Sequence, residues 1–187
     1  TCYMFVTSVH SRTGVERIYA LKNSDPKLKK PLSLLCSSIS QISTYTTAMT
    51  SRRLFKMVKE LLPGPYTFIF PASSDLPRMI LEHKGHLKTW KRREIGIRMP
   101  DNEICLQVMQ GVGEPLLCAS VGLLDEAGDP VSDPARLHEA LRGQVDFAVD
   151  GGAEEGRVST VVDLTDPEHP HILRVGAGDT APFGEAD

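Results

Sequence analysis

The chain has 187 residues, 41% hydrophobic and 24% charged, with 21 Lys+Arg against 24 Asp+Glu and a net charge of −3. Residues 1–100 carry 17 basic and 6 acidic side chains and residues 101–187 carry 4 and 18, which excludes both a uniformly basic nucleic-acid binder and a uniformly acidic solvating chain. The length suits one domain that buries its own core, and no apolar run approaches the roughly 18 residues of a membrane span.

In chain order, the opening run Thr1-Cys2-Tyr3-Met4-Phe5-Val6 reads as a strand cut at its start. The expectation is that a first strand, and any targeting peptide, lies upstream. Arg12 to Leu21 is an amphipathic helix with Val15, Ile18, Tyr19 and Leu21 on one face. A lysine-rich loop (Lys27, Lys29, Lys30) then leads to a short buried strand over 32–36. After a Ser/Thr-rich helical stretch, Ser51 starts a helix whose apolar face is Leu54, Phe55, Val58, Leu61 and Leu62. Pro63-Gly64-Pro65 stops it, and Tyr66 to Phe70 is a strand.

Residues 82–93 form the least regular part, mixing His83, His86 and Trp90 with Lys84, Lys88, Lys91, Arg92 and Arg93. A strand from Ile95 to Arg98 ends at Pro100, and Asp101 caps a helix through Val112. Pro115 to Ser120 is an apolar strand, and Asp133-Pro134 starts a helix. Val145–Val149, Ser159–Leu164 and Ile172–Val175 read as strands, the first two joined through an Asp150-Gly151-Gly152 turn. A loose tail is expected over 179–187. The interleaving gives a single α/β domain over residues 1–178, a twisted mixed sheet with flanking helices. Cys2, Cys36, Cys105 and Cys118 make no CxxC pair and each sits in an apolar segment, so they read as buried reduced thiols of an intracellular protein rather than zinc ligands. No Walker A string, GxGxxG after a strand, or HExxH occurs.

Several strings in collinear order resemble one family, the YrdC/YciO-like domains, whose best-known members are L-threonylcarbamoyladenylate synthases. They are the helix Val15–Lys22 with its signature lysine, Lys30-Pro31-Leu32-Ser33, Leu62-Pro63-Gly64-Pro65-Tyr66-Thr67, and Ile95-Gly96-Ile97-Arg98-Met99-Pro100. Asp150-Gly151-Gly152, Ser159-Thr160-Val161-Val162-Asp163 and Leu173-Arg174-Val175-Gly176 complete the series. Two positions depart from the synthase pattern: Ser24 stands where the signature has arginine, and Gly122 where a Ser-Ala-Asn motif has asparagine. Both lean towards the YciO-like branch.

The resemblance implies a YrdC/DHBP synthase-like fold. It implies formation of threonylcarbamoyl-adenylate from L-threonine, bicarbonate and ATP, with Mg2+, in tRNA t6A modification. Lys22, Lys30 and Arg174 would contact ATP; Thr1, Arg98, Ser120 and Ser159 would contact L-threonine. On residue type alone Lys22 is a solvated lysine complementing a helix dipole, and Arg98 or Arg174 can equally form ion pairs with the C-terminal acids. A guanidinium fork, however, suits a carboxylate at two points. Neither serine has a recognisable His/Asp partner, so no nucleophile is read.

A second reading rests on Lys84, Lys88, Trp90, Lys91, Arg92 and Arg93, where basic and aromatic residues together suit an RNA backbone and a stacked base. The chain would then bind double-stranded RNA or tRNA without synthase turnover. A third is hydrolysis of an adenylate. The expected location is the cytoplasm, or a plastid or mitochondrion if a targeting peptide has been lost.

Overall fold

Serine hydroxyls start three of the helices. Ser11, Ser38 and Ser51 each accept a backbone N–H three residues on, at 3.1, 3.2 and 3.4 Å, satisfying a donor that the first helical turn leaves open. They open α1 (Arg12–Leu21), α2 (Ile39–Tyr45) and α3 (Arg52–Leu61). In α3 and just beyond, Leu54, Val58 and Leu62 are spaced by four and buried, whereas Phe55, expected on the same face, is exposed. The helix stops at Pro63, whose ring offers no N–H to continue it. The computed structural model describes residues 2–22, 31–77, 80, 82–84, 89–91, 93–124, 126–128, 131–153 and 157–184, with 82–84 and 89–91 given by their backbone.

Seven strands form one mixed sheet. They are β1 (Met4–Ser8), β2 (Ser33–Leu35), β3 (Tyr66–Pro71), β6 (Glu94–Arg98), β7 (Leu116–Ser120), β8 (Thr160–Asp163) and β9 (His171–Arg174), in the order β1-β7-β2-β6-β3-β8-β9. The pairs β2–β6 and β3–β8 are parallel and the others antiparallel. Two further helices follow β6 and β7: α4 (Glu103–Val112) and α5 (Pro134–Ala140), the latter capped by Asp133 with proline at its start.

Strand alternation sorts the side chains into two faces. One face carries Phe5, Leu34, Phe68, Phe70, Ile97, Leu117 and Val162, which pack with Ile18, Ile42, Leu54 and Val58 of α1 to α3 into the main core. On the opposite face Leu35, Leu116 and Cys118 pack under Met109 of α4 as a smaller cluster. Helix α4 covers only that part. The same face continues through Ser33, Gly96, Arg98, Thr67, Val161 and Arg174, and this polar stretch positions the site.

The structure corrects five further local expectations. The cap of α4 is Asn102 rather than Asp101, because the extended Asn102 backbone lets its Oδ1 accept from Cys105 N at 2.9 Å. Residues 82–93 contain an antiparallel hairpin, β4 (Glu82–Lys84) with β5 (Thr89–Lys91), in which His83 stands opposite Trp90. No strand forms over 145–149. That segment is a strap held at Asp146 by Arg17, with Phe147 77% exposed. Residues 179–183 are packed rather than loose. Tyr66 Oη donates to Asp179 O at 3.2 Å, and the buried Phe183 ring lies edge-on to Tyr66 and Phe68. Finally, Cys36 and Cys118 are buried but Cys2 and Cys105 are half-buried, and all four thiols are free.

Candidate functional site

The polar face is built from sheet register. Thr67 follows from the Phe68–Ile97 pairing as the neighbour of Arg98, Thr67 pairs with Val161, and Val161 pairs with Arg174. Arg98 and Arg174 therefore stand in one row with Thr67 and Val161 between them. At the usual interstrand spacing their Cα atoms are roughly 14 Å apart, a span that two extended guanidinium arms readily close.

Arg98 ends β6 and is buried, 6% exposed. Its guanidinium favours the charged form of the Cys118 thiol. Burial is the larger influence on that thiol and pushes its pKa up to about 11, against the lowering by Arg98. At neutral pH the thiol is uncharged, so it supplies no negative charge to the arginine. Cys105 of α4 is shifted the same way, upward by burial and partly back by Arg98.

Arg174 lies on the edge strand β9, with its arm folded back along the sheet. Its Nε and Nη2 donate to the Ser159 carbonyl at 3.1 and 2.8 Å, and Nη2 also donates to the Ser159 hydroxyl at 3.2 Å. Among the described residues no carboxylate pairs with it. Its pKa is lowered, first by desolvation and then by the positive charge of Arg98. Two like charges thus act on one another over one face of the sheet, an arrangement that an anion relieves.

The Lys22 ammonium at the end of α1 donates to the Ser120 carbonyl at 3.0 Å, which is more than the helix-end role expected from residue type. The Ser120 hydroxyl accepts from the Cys2 thiol at 3.6 Å. Gly122, two residues on, has φ +66° with open space about it, the nearest atom to an added Cβ being Ser120 O at 3.9 Å. Glycine or asparagine adopts that left-handed backbone readily. Gly96 has the opposite problem: an added Cβ would lie 2.9 Å from the Ser33 hydroxyl and 3.4 Å from the Thr67 methyl. Its missing side chain keeps the floor between those two residues low.

The structure therefore brings together Lys22 with Ser120 and Arg174 with Ser159, and sets Arg98 in the same row of the sheet as Arg174. Thr1, Lys30 and the departure at Ser24 lie outside the described residues, as do Lys88 and Arg92. Lys84, Trp90 and Lys91 belong to the β4–β5 hairpin, and Arg93 follows it as an exposed residue. Sequence reading missed Thr67, Gly96 and Cys118. Thr67 and Gly96 lie within strings quoted for the resemblance, and their parity with Arg98 along paired strands is the signal that marks them. Among the described residues no histidine or carboxylate hydrogen-bonds Ser120 or Ser159. The arrangement suits holding an anion between cations and hydroxyl groups, and it offers no activated nucleophile.

Comparison with known proteins shows what the chain is similar to. A profile of the Sua5/YciO/YrdC family, described as telomere recombination, matches residues 1–176. The chain is 42% identical over 150 residues to an uncharacterized protein of Haemophilus influenzae, covering 80% of this chain and 68% of that one. It is 32% identical over 181 residues to YciO of Escherichia coli, covering 97% and 82%. The crystal structure of E. coli YciO superposes with a TM-score of 0.82 at 31% identity, covering 98% of this chain and 83% of that one. Pyrococcus abyssi Sua5 complexed with L-threonine gives a TM-score of 0.76 at 26% identity, covering 94% of this chain and 48% of that one. The single α/β unit with a seven-stranded mixed sheet, the strings along the chain and the family profile agree: the chain belongs to the Sua5/YciO/YrdC family.

Proposed function

We propose that the chain binds ATP and L-threonine together on the polar face of its sheet and forms threonylcarbamoyl-adenylate for tRNA t6A modification. One observation carries the reading: two guanidinium side chains, Arg98 and Arg174, stand in one row on a single sheet face that also carries the hydroxyls of Thr67 and Ser159. In support, a relative 28% identical over 180 residues, that of P. abyssi, is named threonylcarbamoyl-AMP synthase.

In this reading Arg98 takes the amino-acid carboxylate through its fork, and Arg174 takes a phosphate of the nucleotide. Lys22 and Lys30 add positive charge at the phosphates, and Thr1, Ser120 and Ser159 contact the amino acid. The amine of L-threonine combines with bicarbonate, losing water, to give a carbamate. A carbamate oxygen then bonds to the α-phosphorus while the bond to the bridging oxygen breaks and pyrophosphate leaves. Charge grows on the phosphoryl oxygens during this step, and cations fixed in advance lower its barrier. Mg2+ enters as part of the MgATP substrate. Among the described residues no group of three or more His, Cys, Asp or Glu side chains is arranged to hold a metal ion.

The test is pyrophosphate release with ATP, bicarbonate and Mg2+, in the presence and absence of L-threonine. Release that depends on L-threonine is the expected result. Absence of release, with RNA retained in a gel shift that weakens steeply with salt, would replace this reading with RNA binding. AMP release from added adenylate would replace it with hydrolysis.

A further inference from the structure

Arg174 is a long arm on an edge strand, and such arms ordinarily sample many rotamers in solvent. Here it is fixed by hydrogen bonds that all end on one residue, Ser159, through its carbonyl and its hydroxyl. Ser159 is 4% exposed, and its hydroxyl lies 2.8 Å from Thr67 Oγ1 on the neighbouring strand β3. Thr67 is itself buried and stands in register beside Arg98.

We propose that Thr67 is a positioning residue, which through the Ser159 hydroxyl holds the Arg174 guanidinium over the same sheet face as Arg98. Threonine suits this task because its branched Cβ restricts χ1. Its methyl lies towards Gly96 and its oxygen towards Ser159, so the hydroxyl direction is set by packing. The hydrogens also count out. The two hydroxyls share one hydrogen between them, and Arg174 donates to Ser159. Whichever hydroxyl donates across the 2.8 Å gap, one O–H is left to point elsewhere, and the arm, the serine and the threonine form a continuous chain. Thr67 and Arg98 are neighbours across β3 and β6, so that chain ends beside the second guanidinium. The distance between the two charges is thereby held by sheet geometry rather than by the arms themselves.

The proposal rests on the function above only in taking ATP as a probe, and its first readout needs no ligand. In a 15N-resolved NMR spectrum the Arg174 Nη–H hydrogens, which include the donor to the Ser159 hydroxyl and are assigned by their loss in Arg174→Lys, are expected to exchange slowly with solvent. Thr67→Val keeps the shape and removes the hydroxyl, and is expected to speed that exchange about tenfold, with Thr67→Ser restoring it. Thr67→Ala removes the same hydroxyl and stands in if the valine variant does not fold. ATP affinity by titration is expected to fall about tenfold in Thr67→Val, and Thr67→Val/Ser159→Ala to bind no worse than Ser159→Ala alone. Unchanged Nη–H exchange in the folded valine and alanine variants, or additive losses in the double variant, would overturn the proposal. If the wild type binds no ATP, the functional reading fails while the exchange rates still decide the role of Thr67.

Discussion

Arg98 and Arg174 occupy one row of the sheet, separated by Thr67 and Val161, and the charge on Arg98 helps to lower the pKa of Arg174. The chain as a whole is nearly neutral, with its cations concentrated in residues 1–100 and its acids in 101–187. The candidate site crosses that divide. Lys22 and Arg98 come from the basic half, while Arg174 is one of the 4 cations of the acidic half. It is the sheet order and register, with β6 and β9 separated only by β3 and β8, that bring Arg98 and Arg174 to one face.

The two most buried thiols impose a pH dependence. Cys36 is pushed up to about 12 and Cys118 to about 11 from 9.0, in each case chiefly by burial. A folded-state pKa above the unfolded one means the neutral thiol is favoured by the fold. The contribution to stability is complete below about pH 9 and is lost as pH rises towards 11 and 12. Denaturant midpoints are expected to fall between about pH 8 and about pH 10.5, each thiol adding a slope of up to about 1.4 kcal/mol per pH unit. The buried Tyr66 phenol, also raised by burial, acts in the same direction. The Cys36→Ala/Cys118→Ala variant should show a shallower decline, measured relative to its own stability at about pH 8; an unaltered decline would contradict the assignment.

Gly96 is constrained by crowding. Alanine there would set its Cβ 2.9 Å from the Ser33 hydroxyl, and overpacking of this kind costs about 1–3 kcal/mol. Ser33→Ala removes the offending oxygen, so the double variant is expected to recover most of the loss. Equal destabilisation of Gly96→Ala with and without Ser33 would show that the clash lies elsewhere. Denaturant unfolding measures both.

Helix α4 has one effective cap. Asn102→Ala is expected to destabilise by about 1 kcal/mol, since the Cys105 N–H loses its 2.9 Å acceptor. Asp101→Ala should stay within about 0.5 kcal/mol of wild type. The reverse order in thermal or denaturant unfolding would restore Asp101 as the cap.

Phe183 closes the main core from the far end of the chain. Its ring centroid lies 6.1 Å from Tyr66 and 5.9 Å from Phe68. Phe183→Ala should cost about 3–5 kcal/mol, and a loss under about 1 kcal/mol would mean that residues 179–183 are dispensable to the fold.

Much of this architecture is local and therefore legible in the sequence. The helix over Arg12–Leu21, the stop at Pro63 and the start at Asp133-Pro134 depend on residues within one or two turns, and all stand where periodicity and capping put them. Arg98 was conspicuous as a charge closing an apolar strand. What was not legible depends on pairing between distant segments. Val145–Val149 has strand-like composition, yet no neighbouring strand accepts it, and Arg17 holds Asp146 outside the sheet. Phe183 is a lone aromatic among small and polar residues, and its packing against Tyr66 and Phe68 explains its burial. Thr67 gains its role from Ser159, 92 residues away in sequence, a relation that appears only when β3 and β8 are set side by side.

The central claim is that Arg98 and Arg174 together hold a nucleotide and an amino-acid carboxylate on one sheet face. Its most direct measurement is isothermal titration with ATP, with and without L-threonine, on wild type, Arg98→Ala and Arg174→Ala. The expected result is tighter ATP binding when L-threonine is present, loss of that enhancement in Arg98→Ala, and at least about tenfold weaker ATP binding in Arg174→Ala. ATP binding that is indifferent to L-threonine and to both substitutions would contradict it.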